Sequence, residues 1–414
     1  MGRQPRHHPS KHMSIKRVAI VGAGPAGLMA ADVLSQYKNY EIHVFEQKPS
    51  AARKFLMAGK TGLNISHAET FEQFIQRYDQ VEWLRPWIEK WDAAWIQKWM
   101  QSLGIESYVG SSGRIFPVEM KAAPLLRAWL KHLVEQQVKF HYRHQVTDLK
   151  HQQLKMIDLK SNQINEQKFD AIILACGAVS WSRLGSDGAW QKWLSSSEIE
   201  TFQPSNAGVV YPWSDYMQSV FGQPLKRVDA WVEPSVKTQG DIVITHYGLE
   251  SGLIYKQGRS LRQLIQQSQP LVMYLDLLPD QSIQQLVQKL QPSKKQSTAN
   301  IWRKAGLDTA KSSLLRELVD KALWNDPEQL AQQIKHLKIE LQGFRPIEEA
   351  ISCAGGVKEQ ALTQDLQLKS HLSVFCCGEM LDWDAPTGGY LLTACFATGR
   401  AAGEGVHQYL SDLL

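Results

Sequence analysis

Gly22, Gly24 and Gly27 stand in the run Gly22-Ala23-Gly24-Pro25-Ala26-Gly27, the spacing of a turn that cradles a pyrophosphate. In such a turn the first glycine permits the bend and the second admits a phosphate against the backbone. The third lets a helix close on a strand. Glu46 follows Gly24 by 22 residues, where a carboxylate can accept hydrogen bonds from ribose hydroxyls. This chemistry requires elements in a set order. Residues 15–21 read as a buried strand, residues 25–36 as a helix opening on Pro25 and Ala26, and residues 41–45 as a second strand. The helix start would aim unpaired N–H groups and a positive dipole end at the phosphates. A turn with an incidental surface glutamate needs none of this order. The motif specifies a dinucleotide and leaves NAD and FAD open.

The other end of the chain decides between them. Residues 371–377 read as a short apolar strand followed by Gly378-Glu379-Met380-Leu381-Asp382. Pro386-Thr387-Gly388-Gly389-Tyr390 then opens a run of small and apolar helix formers, residues 391–403. A second strand, glycine–acid turn and glycine pair ahead of a helix form a second anion-favouring terminus. It suits the ribityl chain and pyrimidine edge of a flavin, which carries negative charge when reduced. Between the ends, residues 169–179 (FDAIILACGAV) form a strand running into Ala175-Cys176-Gly177.

With these elements in view, the chain resembles the HI0933-like flavoprotein family, also called BaiN-like or aminoacetone-oxidase-like. The stretches that carry the resemblance are VAIVGAGPAGLMAA, ARKFLMAGKTGLNISH, GRIFPVEMKAAPLLRAWL, THYGLESG, IEEAISCAGGVKEQAL and FCCGEMLDWDAPTGGYLLTACFATGRAAGEG. The implied fold is an α/β Rossmann-type FAD-binding domain of the two-dinucleotide-binding kind, carrying an inserted β-barrel-like plus helical domain. Around the non-covalent FAD the resemblance adds Gln47, Lys48, Lys54, Gly59, Thr61 and Asn64 to the first motif. It adds Val146, Ala175, Cys176, Gly177 and Trp181 from the middle. Gly378, Glu379, Gly388, Gly389, Tyr390 and Leu391 complete the expected set. Lys54 and Lys60 are expected to face phosphates as point charges. The chain departs from the family's usual residues at 59–64, 181–188 and 388–391, all close to the expected flavin, so no substrate is carried over.

The implied activity is hydride delivery from flavin N5 to an activated C=C bond, in a steroid-like enone or a uracil of ribosomal RNA. The alternatives are an oxidase of amine-type substrates that uses oxygen, and a flavoprotein that docks on rRNA or tRNA. No second GxGxxG follows, so NADH or NADPH, if used, docks transiently.

A chain of 414 residues implies two or more domains. The expected division is a disordered basic tail at 1–13, FAD-binding segments at 14–190 and 343–414, and between them a β-rich insert at 195–280 and a helical segment at 281–342. The net charge is +5, and Arg3, Arg6, Lys11, Lys16 and Arg17 precede every acid, so the remainder is neutral. That balance argues against a polyanion-binding body, although Lys294, Lys295, Arg303 and Lys304 cluster on one helical stretch. Five cysteines without metal-like spacing read as small buried residues of a reducing compartment. No metal is expected, and no apolar run nears the roughly 18 residues of a membrane span. A cytoplasmic location is expected.

Trp87, Trp91, Trp95 and Trp99 recur every four residues after Pro86, which suits a first helical position, and read as packed core. Catalytic candidates beyond the flavin are His246, Tyr247 and Tyr390. His246 and Tyr247, in a loop-like stretch, read equally as a flavin cap and as structural groups. Arg345 and Glu348 read as an ion pair where the insert rejoins, in preference to a site for an anionic substrate.

Overall fold

The computed structural model describes residues 14–414, and the expected tail at 1–13 lies outside the described residues. Strand β1 (Lys16–Val21) enters the glycine turn and α1 (Pro25–Ser35) leaves it, with Pro25 in the first turn where a missing N–H costs nothing. Strand β2 (Tyr40–Glu46) ends on the glutamate. Then come α2 (Arg53–Ala58), β3 (Ser66–His67), α3 (Phe71–Ile75), α4 (Val81–Lys90) and α5 (Ala93–Ser102). Strands β4 (Ser107–Val109) and β5 (Arg114–Pro117), helix α6 (Ala122–Glu135) and strand β6 (Lys139–Tyr142) follow. An antiparallel meander of β7 (His144–Lys150), β8 (Gln153–Asp158) and β9 (Ile164–Lys168) leads to β10 (Ala171–Leu174).

The four tryptophans do not share one helix. Asp92 breaks the run by starting α5, its side chain accepting the Trp95 N–H at 2.9 Å. Pro86 lies inside α4 rather than at its first position. Trp91 and Trp99 are buried, whereas Trp87 and Trp95 are partly exposed.

The middle of the chain forms a second compact unit, residues 202–354 together with Val179–Trp181. Its elements are β11 (Ile199–Ser205) at the entry, β12 (Val209–Val210), β13 (Pro224–Trp231), β14 (Thr238–Ile244), β15 (Gly248–Glu250), α7 (Gly252–Gln266) and β16 (Val272–Asp276). Helices α8 (Ile283–Lys289), α9 (Thr298–Ala305), α10 (Thr309–Leu318) and α11 (Pro327–Lys335) follow, each opened by a side-chain cap from Ser282, Ser297, Asp308 or Asp326. Strands β17 (Leu337–Glu340) and β18 (Gly343–Phe344) then form the two edges of an antiparallel sheet, ordered β17-β16-β13-β14-β15-β12-β18. This sheet with two edges stands where a barrel-like arrangement was expected, and a 15-residue helix, α7, interrupts the expected β-rich stretch. Because β17 and β18 complete this sheet, the return to the first unit comes at Gly355 and not at residue 343. Strand and helix residues share one core, with Leu225, Ile242 and Met273 packed among Trp302, Leu314 and Leu330.

The chain returns along β19 (Ser352–Val357) to β20 (Val374–Cys376) and α12 (Tyr390–Asp412). In the first unit the sheet order is β20-β10-β1-β2-β6, every pair parallel. Both faces are covered, so the strands read as continuous apolar runs such as Val18-Ala19-Ile20 and Ile172-Ile173-Leu174, all fully buried. Helix α1 is buried from Ala26 to Ser35 because α12 lies against it. Small residues permit that approach: a Cβ on Gly399 would come within 2.3 Å of the Ala26 carbonyl oxygen, and one on Gly403 within 3.0 Å of that of Ala30. Where the helices bury charge they pair it, Arg400 Nη1 meeting Asp32 Oδ1 at 3.1 Å with the guanidinium over the Trp95 ring. No helix among the described residues is long and apolar enough to cross a membrane.

Candidate dinucleotide site

At the carboxyl end of β1 each glycine of the first motif has a distinct environment. Gly22 adopts φ +108°, and a Cβ there would strike the Ala175 carbonyl oxygen at 2.1 Å. A Cβ on Gly27 would lie 2.1 Å from the Gly22 carbonyl oxygen. Both residues are glycine for close packing. Gly24 differs, because a Cβ built on it meets nothing within 4 Å. The space beside Gly24 is therefore empty of protein, and it lies at the start of α1, which has no side-chain cap. The first intrahelical bond runs from the Leu28 N–H to the Gly24 carbonyl, so the Ala26 and Gly27 N–H groups are the orphan donors of that terminus.

Glu46 is fixed beside this turn. Its Oε1 accepts the Ala23 N–H at 3.1 Å and its Oε2 the Lys48 N–H at 2.9 Å. Burial raises its carboxyl above the usual range, against these backbone donors. Gln47 donates to the Gly185 carbonyl at 3.1 Å. A small cavity of ≈ 60 Å³ opens here, lined by Gly22, Phe45, Gln47, Val146, Cys176 and Trp190 among others. The segment around Gly185 and Trp190 covers it, and Trp190 donates its indole N–H to the Gly177 carbonyl at 2.9 Å. Cys176 is a poor nucleophile, since burial pushes its thiol far up.

The second motif meets the first at Ala26. Gly378 has φ +79°, and a Cβ on it would lie 2.8 Å from the Ala26 Cβ. Its N–H donates to Thr398 Oγ1 at 3.0 Å, and its carbonyl accepts the Trp383 indole N–H at 3.0 Å. Glu379 pairs with Lys54 at 3.1 Å. Lys54 is thus paired with a carboxylate, while Lys60 and Thr61 are exposed. Gly59 serves packing: a Cβ there would lie 2.6 Å from the Ala122 Cβ. Asp382, after the same turn, is raised to about 6 by burial, with Asp79 and Glu200 adding to the effect.

Gly388 and Gly389 both take positive φ, +116° and +96°, and Gly389 packs so tightly on β3 that a Cβ would fall 2.5 Å from the Ser66 Cα. Asn64 reaches the same turn, its Nδ2 lying 3.9 Å from where a Gly388 Cβ would sit. The Asn64 Oδ1 is buried and has no hydrogen-bond partner. A partnerless buried acceptor is costly and calls for a ligand or water. Tyr390 and Leu391 begin α12, with Leu391 partly exposed and Tyr390 buried.

Four groups that sequence spacing does not reveal hold this helix start. Ser66 Oγ and Thr393 Oγ1 lie 2.9 Å apart. Tyr78 donates its hydroxyl to the Tyr390 carbonyl. Tyr390 in turn donates to Glu69 Oε1 at 2.5 Å, and Arg77 clasps the same carboxylate at 3.1 and 2.9 Å.

The remaining candidates belong to the second unit. Trp181 donates its N–H to the Glu348 carbonyl. His246 is exposed, while Tyr247 donates its hydroxyl to Glu250 and lies under the Arg345 guanidinium at 4.3 Å. Arg345 pairs with Glu349 at 2.7 Å, the helical turn at 347–349 bringing the i+4 carboxylate under it. No group of three or more metal-ligating side chains occurs among the described residues.

A parallel sheet with a glycine cradle at the carboxyl end of β1, completed by a strand and helix from the far end of the chain, defines a Rossmann-type dinucleotide-binding domain. The family described as the HI0933-like protein Rossmann domain matches residues 16–405. The chain belongs to that family and is an FAD-dependent oxidoreductase. A 3-dehydro-bile acid delta(4,6)-reductase of Clostridium scindens is 24% identical over 422 aligned positions, covering 94% of this chain and 98% of that protein. The open conformation of a flavocytochrome c3 fumarate reductase shares the fold, with a TM-score of 0.51 at 13% identity over 96% of this chain and 78% of its own.

Proposed function

We propose that the protein is a reductase that takes electrons from NADH or NADPH through a non-covalent FAD and delivers hydride to an electron-poor C=C bond of a small molecule. The observation that carries the reading is the meeting of Ala26 and Gly378, which brings the turn at Gly24, where a Cβ would meet no protein atom within 4 Å, against the turn of the second motif. When bound, FAD supplies the N5 atom that accepts and donates hydride.

The chain's own residues would bind and orient it. The start of α1 and the open side of Gly24 accept the pyrophosphate, and Glu46, held by two backbone donors, accepts ribose hydroxyls. Glu379, held by its pair with Lys54, would serve the ribityl chain. The Asn64 Oδ1 offers an acceptor to the flavin ring edge, which would end its isolation. The start of α12 places a positive dipole end where reduced flavin carries charge. The similarity to a 3-dehydro-bile acid delta(4,6)-reductase supports a C=C acceptor.

The test is anaerobic. The purified protein is mixed with NADH and with NADPH while flavin absorbance is followed, and the reduced protein is then offered α,β-unsaturated ketones. Rapid bleaching, recovery with an enone and slow recovery in air fit the reductase. Failure of both nucleotides, with bleaching by an amine and peroxide release in air, would make it an oxidase.

A further inference from the structure

The start of α12 is held by a group whose charges cancel. Tyr390 is the first residue of the helix, directly after Gly388 and Gly389, and its ring packs against Phe74 and His67 at centroid distances of 4.8 and 5.8 Å. Its hydroxyl reaches Glu69, whose side chain is 9% exposed, and Arg77, half in solvent, closes on both carboxylate oxygens. The Glu69 N–H donates to His67 Nδ1 at 3.0 Å, which leaves the imidazole proton on Nε2, opposite the Ser112 carbonyl at 3.1 Å. Each nitrogen of His67 thus has a partner. The clasp on Tyr390 pairs one carboxylate with one guanidinium.

We propose that Glu69 and Arg77 are positioning residues that fix Tyr390 at the helix start and set the reduction potential of the flavin by balancing charge there. This rests on the reading above that the flavin meets the start of α12. Burial alone would raise the Glu69 carboxyl, but the bonds from Arg77 and Tyr390 outweigh it and hold the group below its usual range. Burial and Glu69 keep the Tyr390 phenol protonated, so it serves as a donor and adds no charge. Taking up two electrons and one proton gives the flavin a net negative charge on the ring. A neutral clasp leaves the helix dipole free to favour that charge. An unbalanced one adds to the dipole or opposes it.

The experiment is a dye-equilibrated reductive titration of the FAD-loaded protein with dithionite, monitored by flavin absorbance. Glu69→Gln keeps the shape of the clasp and leaves Arg77 unopposed. At a fixed poise the ratio of reduced to oxidised flavin should rise about tenfold, which for a two-electron couple is a shift of about 30 mV. Arg77→Gln, titrated at pH 8.5 so that Glu69 stays ionised, should move the ratio the opposite way. Opposite shifts in the two charge variants support the proposal. Equal potentials in all, or shifts of the same sign in Glu69→Gln and Arg77→Gln, overturn it, since mere loosening of the helix would move both alike. A parent protein that binds no FAD would instead defeat the cofactor reading on which the proposal rests.

Discussion

Ala26 and Gly378, 352 positions apart in the chain, stand so close that a methyl group on the glycine would lie 2.8 Å from the alanine Cβ. Neither residue makes chemistry of its own. Their contact is what lets a turn from each end of the chain contribute to one cradle.

Gly378→Ala should therefore lower FAD content sharply while leaving a folded protein. Two costs act there, the positive φ of Gly378 and the clash with Ala26. The double variant Gly378→Ala/Ala26→Gly should recover part of the flavin content, because it relieves the clash and not the backbone strain. Flavin absorbance per protein, measured after gel filtration, reads both. No recovery would assign the whole loss to φ.

Gly24→Val should give a colourless protein with a near-parental melting curve. A Cβ at Gly24 touches no protein atom, so its larger substituent would fill the gap read as the pyrophosphate path. A yellow Gly24→Val protein would remove that gap from the cofactor site. Glu46→Ala should weaken occupancy less, since it deletes one acceptor and leaves the cradle open.

Arg400→Ala should destabilise the first unit by about 3–5 kcal/mol, the usual cost of leaving one member of a buried ion pair behind. Asp32 is 4% exposed and would lose its guanidinium partner between α1 and α12. Replacing both together, as Asp32→Leu/Arg400→Met, should cost less than Arg400→Ala alone. Denaturant midpoints compare them, and equal losses in the single and double variants would show that the pair carries no special burden.

Two groups oppose each other in acid. Burial first, then His43 and His144, holds His141 at about 4, so its contribution is complete above the unfolded value near 6.5 and is lost as pH falls toward 4. Asp382 is raised to about 6, so its contribution is complete below the unfolded value near 3.9 and is lost as pH rises through 6. Between pH 4 and 6 the two slopes have opposite sign. Asp382→Asn should make the fall in melting temperature from pH 6 to pH 4 steeper than in the parent and should raise the melting temperature at pH 7. An unchanged profile would mean that Asp382 titrates normally.

Both nucleotide motifs were legible because their signals are local. A glycine that bends a turn and a helix that begins after it lie within a few residues, and Gly22 to Gly27 and Gly388 to Tyr390 each carry that pattern. The clasp on Tyr390 was not legible, since Glu69 is 321 positions away and no spacing links them. Helix α7 carries a local signal too. Leu253, Ile254, Gln257, Gly258 and Leu261 fall on one face at helical spacing, but β-like sequence on either side of the helix masks that period. The Lys54–Glu379 pair at 3.1 Å was not legible either, because it joins positions far apart in the chain. The tryptophan stripe misled through its regularity, because Asp92 is a stronger stop for a helix than four aromatics are a reason to continue one.

The parallel sheet of the first unit closes only when β20 pairs with β10, some 200 residues after β10 has been made. While a ribosome is still translating the second unit, β10 is an edge strand with unpaired backbone groups, and α1 lacks the helix that covers it. At about 5–20 residues per second, that exposure lasts on the order of ten seconds or more. The protein thus asks for protection during its own synthesis, and its cofactor can be taken up only once β20 and α12 have been made.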